Sequence, residues 1–423
     1  MERRIPSQIG VSLLVSAFVL ASPGARAEVP PALDPELAAA FAADQAAREA
    51  APPALPSPPV GGGAGMRQMN PDLSFILDTT AAWYSDPAWH LRQGGHAADE
   101  TGVTLQGVEL AASASVDPYF RFDLYFQLGH LHLEEAVLTT LALPAGLQAR
   151  AGFFNAAFGR ENPQHLHSWN LVNPSLAHGR FLAEEHFAGA GGELSWLLPL
   201  PWYLLATVDV FDSSSRAGLR SSTFGASEST SSGLLDGPEK LVTVGRLESF
   251  GELGPDWSLA LGLSGAWGLS PHVPDNRATL YGADCYLKWR PIGEGRGALF
   301  VALTVEAVLR DTQVPGDSVR DAGGYAQLDV QLSQRWLVTL RGETVGWLSG
   351  PTPDPRRAPA DDQRRASLGL TFLPTHFSKL RLQGDLQTGP TGGSGEAGAE
   401  ERTGVAVFLQ TEISAGEHGA HRF

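Results

Sequence analysis

From residue 72 onward, apolar and polar positions along this chain alternate with a period of two. In the stretch 119–129, Phe120, Phe122, Leu124, Phe126 and Leu128 fall on one face, and Arg121, Asp123, Tyr125 and Gln127 on the other. A helix would scatter these residues around its surface, whereas a strand separates them. The division recurs further along. Val301, Leu303 and Val305 oppose Thr304 and Glu306. Leu380, Leu382 and Leu386 oppose Arg381, Gln383 and Asp385, and Val405, Val407 and Leu409 oppose Gln410 and Glu412. The pattern predicts sixteen strands, over 73–83, 103–115, 119–128, 131–141, 147–154, 187–197, 202–211, 241–250, 257–267, 279–290, 298–310, 323–332, 335–347, 363–373, 379–388 and 403–413.

A soluble sandwich with one wet face alternates too, but three features favour a membrane barrel. The segments are about twice as long as the soluble mode of roughly five to six residues. The connections alternate in length. Those at 116–118, 144–146, 198–201 and 374–376 are short, and those at 86–102, 155–186, 212–239, 349–361 and 389–401 are long and polar. Short turns at one rim and long loops at the other are the rhythm of outer-membrane barrels. Finally, Trp257 and Trp267 bracket one strand, and Trp336 and Trp347 another. Such a spacing climbs about 25 Å in a tilted strand, the height of the apolar band between two aromatic girdles. The fold class expected is all-β: a transmembrane antiparallel β-barrel of about sixteen strands over residues 70–416. An even strand number places both the N- and the C-terminus in the periplasm.

The N-terminus adds an address. Arg3 and Arg4, the apolar run 9–20 and Ala25-Arg26-Ala27 read as a signal peptide over 1–27. Residues 28–69 form an Ala/Pro/Gly-rich periplasmic tail, with a short helix over 33–50 behind Asp34, and 417–423 form a polar C-terminal tail. Charged residues are 18% and the net charge is −16, which excludes nucleic acid as a partner. The single Cys285 excludes an intramolecular disulfide framework. The partners expected are outer-membrane lipid, barrel-assembly machinery, small solutes or ions, and further copies of the chain in a homo-oligomer.

Several short stretches carry a resemblance. They are Met69-Asn70-Pro71-Asp72, the run 113–120, Leu133-Glu134-Glu135-Ala136, the run 143–147, and Ala151-Gly152-Phe153-Phe154 with Phe158-Gly159-Arg160-Glu161-Asn162. They are similar to a proteobacterial outer-membrane β-barrel family related to phosphate-selective porins. Some of its members carry the name zinc-regulated TonB-dependent outer-membrane receptor. The resemblance implies a barrel in the outer membrane with a role in transport. Residues 28–69 are too few to form the plug that fills a 22-stranded transporter.

The segment 155–186 is the longest connection and follows the fifth strand. By resemblance to sixteen-stranded porins it folds inward and narrows the pore. Phe158, Leu166, Trp169, Leu171, Val172, Leu176, Phe181 and Leu182 suit it to packing inside a lumen. Arg160, Glu161, Arg180, Glu184 and Glu185 are then the candidate constriction charges. The candidate lumen charges are Arg121, Asp123, Lys288, Glu306, Asp329, Arg341, Glu343, Arg381 and Asp385, of both signs. His165, His167, His178 and His186 share the same segment. With its carboxylates they offer a Zn²⁺ ligand set without tight spacing, and no other cofactor is expected. Ser168 near His165 and His167 lacks the orienting partner and oxyanion site of a hydrolase, so an enzyme is not expected. The function expected is a porin-like channel for passive or weakly selective diffusion. The alternatives are a zinc-linked uptake component and a non-conducting surface or structural barrel.

Overall fold

The computed structural model describes residues 71–85, 98, 100–129, 131–213, 218–225, 240–270, 276–291, 299–349, 362–390 and 401–416. The signal peptide, the periplasmic tail with its helix, and the C-terminal tail expected from the sequence lie outside them.

Sixteen strands close into one antiparallel barrel, each hydrogen-bonded to its neighbours in sequence and the first to the last. They are β1 (Asp72–Tyr84), β2 (Gly102–Ser115), β3 (Phe120–Gln127), β4 (His132–Thr140), β5 (Leu147–Asn155), β6 (Ala188–Leu197), β7 (Tyr203–Asp212) and β8 (Leu241–Glu252). β9 (Trp257–Leu269), β10 (Arg277–Trp289), β11 (Phe300–Val314), β12 (Asp317–Ser333), β13 (Trp336–Ser349), β14 (Gln363–Thr375), β15 (Ser378–Pro390) and β16 (Glu401–Gly416) complete it. Closure through β1 and β16 leaves no sheet edge, as a strand structure surrounded by lipid requires.

All sixteen strands overlap those read from the alternation. The largest difference is at β11 and β12, which extend to Val314 and start again at Asp317. Pro315-Gly316 makes a two-residue turn, with Gly316 at φ 79°, the conformation a type II turn demands of its third residue. Polar residues on both flanks, such as Asp311 and Arg320, hid this extension, because alternation fades above an apolar band. Arg320 Nε donates to Asp311 Oδ2 at 2.7 Å across the hairpin.

Outward positions are apolar and exposed: Leu73, Phe75 and Leu77 on β1, Leu261 and Leu263 on β9, Leu380, Leu382 and Leu386 on β15. Trp257, Trp267 and Trp336 stand on the same outer face. The Trp257 ring lies 6.4 Å from that of Trp289, its partner across the ladder, and Trp336 lies 4.7 Å from Phe372.

The core lies in the lumen. Phe154, Phe158, Leu176, Phe181, Leu182 and Phe187 pack against inward Val137, Phe211, Val242, Val244, Leu280, Val308 and Val345. Most of the first group belong to the segment 156–187, which runs inside the barrel. The wall makes room for it with inward glycines. A Cβ on Gly282 would stand 2.9 Å from Phe158 Cζ, and one on Gly323 2.9 Å from Phe181 Cε2.

Candidate functional site

The inward loop, 156–187, contains a short turn at Leu166–Ser168 and a wider one at His178–Leu182. Loop backbone that leaves water must find partners elsewhere. Here the barrel wall supplies them. Glu306 of β11 accepts from Arg160 N at 3.3 Å and from Glu161 N at 3.2 Å. Gly159 sits at φ 64°, and a Cβ there would stand 1.8 Å from Glu306 Oε1, so only glycine lets the loop close onto this carboxylate. Asp209 accepts from Ala157 N at 2.7 Å, and Gln383 from Val172 N at 2.6 Å.

Arginines fasten the middle of the loop. Arg341 donates to the Asn173 and Pro174 carbonyls at 3.0 and 3.1 Å, and Arg365 also reaches Pro174 O. Both guanidiniums are held by Glu343 Oε1, at 3.0 and 2.7 Å, and Glu343 accepts from Leu176 N as well. Arg381 donates to Trp169 O at 2.7 Å, and Asp385 accepts from Asn173 Nδ2 at 2.8 Å. Five strands from β7 to β15 thus grip a loop that leaves from β5.

Beside the loop lies a cavity of about 900 Å³. Arg160, Glu161, Trp169, Lys288, Asp329 and Arg381 line it, and Phe377 and Gly416 extend its lining to the rim that carries the 376–377 turn. The Arg160 guanidinium lies over the Tyr286 ring at 3.9 Å, and the Lys288 ammonium over Phe300 at 4.7 Å. Glu161 accepts from Ser175 N at 2.9 Å, so its charge is partly engaged within the loop.

Of the five constriction candidates, Arg160 and Glu161 face this cavity. Arg180 pairs with Asp321 at 2.9 Å, Glu185 pairs with Arg220 at 2.7 Å, and Glu184 is exposed, so these three are placed elsewhere. Among the lumen candidates, Asp123, Glu306, Asp329, Arg341, Glu343, Arg381 and Asp385 are buried on the inner face. Arg121 stands near a rim, half exposed, against Asp123 at 2.9 Å. Several of these charges therefore hold the loop as well as lining the lumen. Tyr325, which donates to Glu306 Oε2 at 3.1 Å, and Lys379, which donates to His167 O, were not singled out from the sequence.

The four loop histidines converge. His165 and His167 stack with ring centroids 5.7 Å apart, His165 and His186 lie 6.4 Å apart, and His178 and His186 5.7 Å apart. Trp169 lies 5.9 Å from both His178 and His186. His165 sits between two carboxylates, with Nδ1 3.5 Å from Glu134 and Nε2 3.3 Å from Glu135. Burial opposes a charge on His165, but the two carboxylates outweigh it and hold the ring well above the ordinary histidine value. His178 is pushed the other way by burial. Ser168 Oγ donates to the His165 carbonyl at 2.6 Å, so the hydroxyl proton is not aimed at an imidazole.

No family profile matches the chain. A protein of uncharacterised function from Aquifex aeolicus (strain VF5) is 30% identical over 346 residues, 74% of this chain and 72% of that one. This chain belongs to its family. Among solved structures, OprB of Pseudomonas putida aligns with a TM-score of 0.52 at 10% identity, over 82% of this chain and 94% of that one. An anion-selective porin from Comamonas acidovorans aligns with a TM-score of 0.51 at 12% identity, over 81% and 99%. OmpT of Vibrio cholerae in its trimer form gives 0.51 at 11% identity, over 82% and 99%. At these identities the likeness is one of fold: the sixteen-stranded barrel of outer-membrane porins.

Proposed function

We propose that the chain is a non-enzymatic, porin-like channel of the outer membrane. Small hydrophilic solutes or ions diffuse through it passively or with weak selectivity, past a constriction formed by the inward loop. Both termini lie in the periplasm, and the barrels associate as homo-oligomers, in line with the trimer form named for the OmpT of Vibrio cholerae.

One observation carries this reading: a loop seated inside the lumen, with a cavity of about 900 Å³ beside it whose lining carries charges of both signs. A barrel serving only as a surface anchor has no need of a wall that offers carboxylates, arginines and glycine sockets to one loop. The cavity lining sets Arg160, Lys288, Arg341, Lys379 and Arg381 against Glu161, Asp329 and Glu412. Mixed signs at close quarters favour weak selectivity over a dedicated phosphate path.

Purified protein in planar lipid bilayers tests the reading. Stepwise conductance is expected, and removal of the loop between residues 160 and 182 should enlarge each step. Absence of conductance at every voltage would refute the channel.

A further inference from the structure

Side chains on a strand alternate, so neighbours in sequence face opposite ways. Glu134 and Glu135 break the rule. In the β3–β4 ladder Tyr125 pairs with Glu135 and Phe126 with Leu133, which leaves Glu134 as an extra residue, a bulge. Bulges re-aim side chains, and here both carboxylates turn into the lumen and are buried. Glu109 of β2 arrives at the same point, and the inward loop delivers His165. One oxygen each of Glu109 and Glu134 and one ring nitrogen of His165 lie within 4.8 Å of one another.

The geometry is that of a ligand set. The 3.5 Å between His165 Nδ1 and Glu134 Oε2 is close to the edge of about 3.4 Å of a tetrahedral zinc site with bonds near 2.1 Å. The far side of the ring, Nε2, faces Glu135 at 3.3 Å. A metal-bound histidine that gives its other N–H to a carboxylate is the usual supporting arrangement. Gln127 Nε2 donates to Glu134 Oε1 at 2.9 Å and so orients a second ligand.

Charge balance points the same way. Glu109, Glu134 and Glu135 gather around the ring of His165, while Arg150 lies 2.8 Å from Glu193 and 3.8 Å from Glu135. Buried carboxylates in excess of cations call for a further positive charge. Glu109 is 3% exposed, and its Oε1 accepts no hydrogen bond. A cavity of about 20 Å³, lined by Glu109, Gln127 and His167, adjoins it, which is room for one water.

We propose that Glu109, Glu134 and His165 bind one divalent transition ion of the zinc class, with water as fourth ligand. Imidazole with carboxylates suits Zn²⁺ better than the all-oxygen cages of Ca²⁺ or Mg²⁺. On binding, the ion takes the place of the proton on His165 Nδ1. It pins the loop to β2 and β4, beyond the β1–β16 seam from the strands that carry the arginines. Of the four loop histidines, His165 is the ligand; His178 and His186 pack on Trp169.

The test uses the full-length folded barrel in detergent, stripped with a chelator and then titrated with Zn²⁺ against a chromophoric competitor, with Mg²⁺ as control. One Zn²⁺ per chain is expected, and Co²⁺ in its place should give the visible bands of a tetrahedral site. His165→Gln and Glu134→Gln should abolish the stoichiometric site. Glu135→Gln, which keeps all three ligands, should weaken it by about 10- to 100-fold. Electrophoretic mobility before and after heating scores the folded barrel in each variant, and Glu134→Gln decides if His165→Gln does not fold. No stoichiometric Zn²⁺ on the folded wild type, or undiminished binding in Glu134→Gln, overturns the proposal. Binding is read without conductance, so the site stands or falls separately from the channel.

Discussion

Glu134 and Glu135 are consecutive in the chain, yet both reach one imidazole, at 3.5 and 3.3 Å from the two nitrogens of His165. The bulge makes this possible, and it can be removed cleanly. Deleting Glu134 leaves Tyr125 opposite Glu135 and Phe126 opposite Leu133 in unbroken register. The shortened strand is expected to assemble, retaining heat-modifiable mobility, while losing Zn²⁺. Deleting Leu138 from the regular part of β4 is expected to block assembly, since a one-residue slip exchanges the two faces.

Gly159 leaves no room for a side chain between loop and wall. Gly159→Ala forces a Cβ onto Glu306 and adds roughly 1 kcal/mol of left-handed backbone strain. The two backbone N–H groups at Arg160 and Glu161 should release Glu306. Larger and noisier single-channel steps, with the barrel still folded, are the expected readout.

Phe158 is fully buried in the lumen against Gly282. Phe158→Ala removes a ring from a closed site and is expected to cost about 3 to 5 kcal/mol. Glu343→Ala strands two guanidiniums and belongs in a similar range, about 3 to 5 kcal/mol, the loss found on breaking a buried pair. Thermal unfolding in detergent reads both. A Glu343→Ala barrel as stable as the wild type would show that water screens this network.

Burial holds His178 below the ordinary histidine value; Glu161 and the Glu185 carbonyl draw it up in part, and Arg341 pushes it down. The ring stays neutral in the folded chain, whereas the unfolded chain takes a proton below about pH 6.5. The contribution of this group is therefore complete above that pH and is lost as pH falls toward the folded value. The raised His165 pulls the thermal midpoint the other way, so the check is the difference: between pH 7.5 and 5 the midpoint of His178→Gln should fall less, or rise more, than that of the wild type.

The strands were legible because lipid and lumen impose opposite demands on alternate residues. Leu380 to Gln387 could be assigned to two faces from composition alone. The upper parts of β11 and β12 were not legible, since Asp311 and Arg320 rise above the apolar band and no longer alternate with it. The inward course of 156–187 was visible in its own apolar residues. Its seats were not: Gly282 is a lone glycine and Gly323 one of the pair Gly323-Gly324 in otherwise ordinary strands, and nothing in sequence joins them to Phe158 and Phe181. The loop histidines were noticed, but their carboxylate partners Glu109, Glu134 and Glu135 were not grouped with them. The Glu134-Glu135 doublet was the available clue, because strict alternation would turn one of them into lipid at a cost.

The loop is made early and seated late. It leaves the chain after β5, while Gly282, Gly323, Glu343 and Asp385, which receive it, belong to strands synthesised long afterwards; Asn173 and Asp385 are 212 positions apart. During assembly only the stretch around His165, which meets β2 and β4, has a partner until the second half of the wall has curved round to receive the rest. Its protection from protease is therefore a clock for closure, and a barrel that stalls short of β15 should betray itself by leaving this one loop open to cleavage.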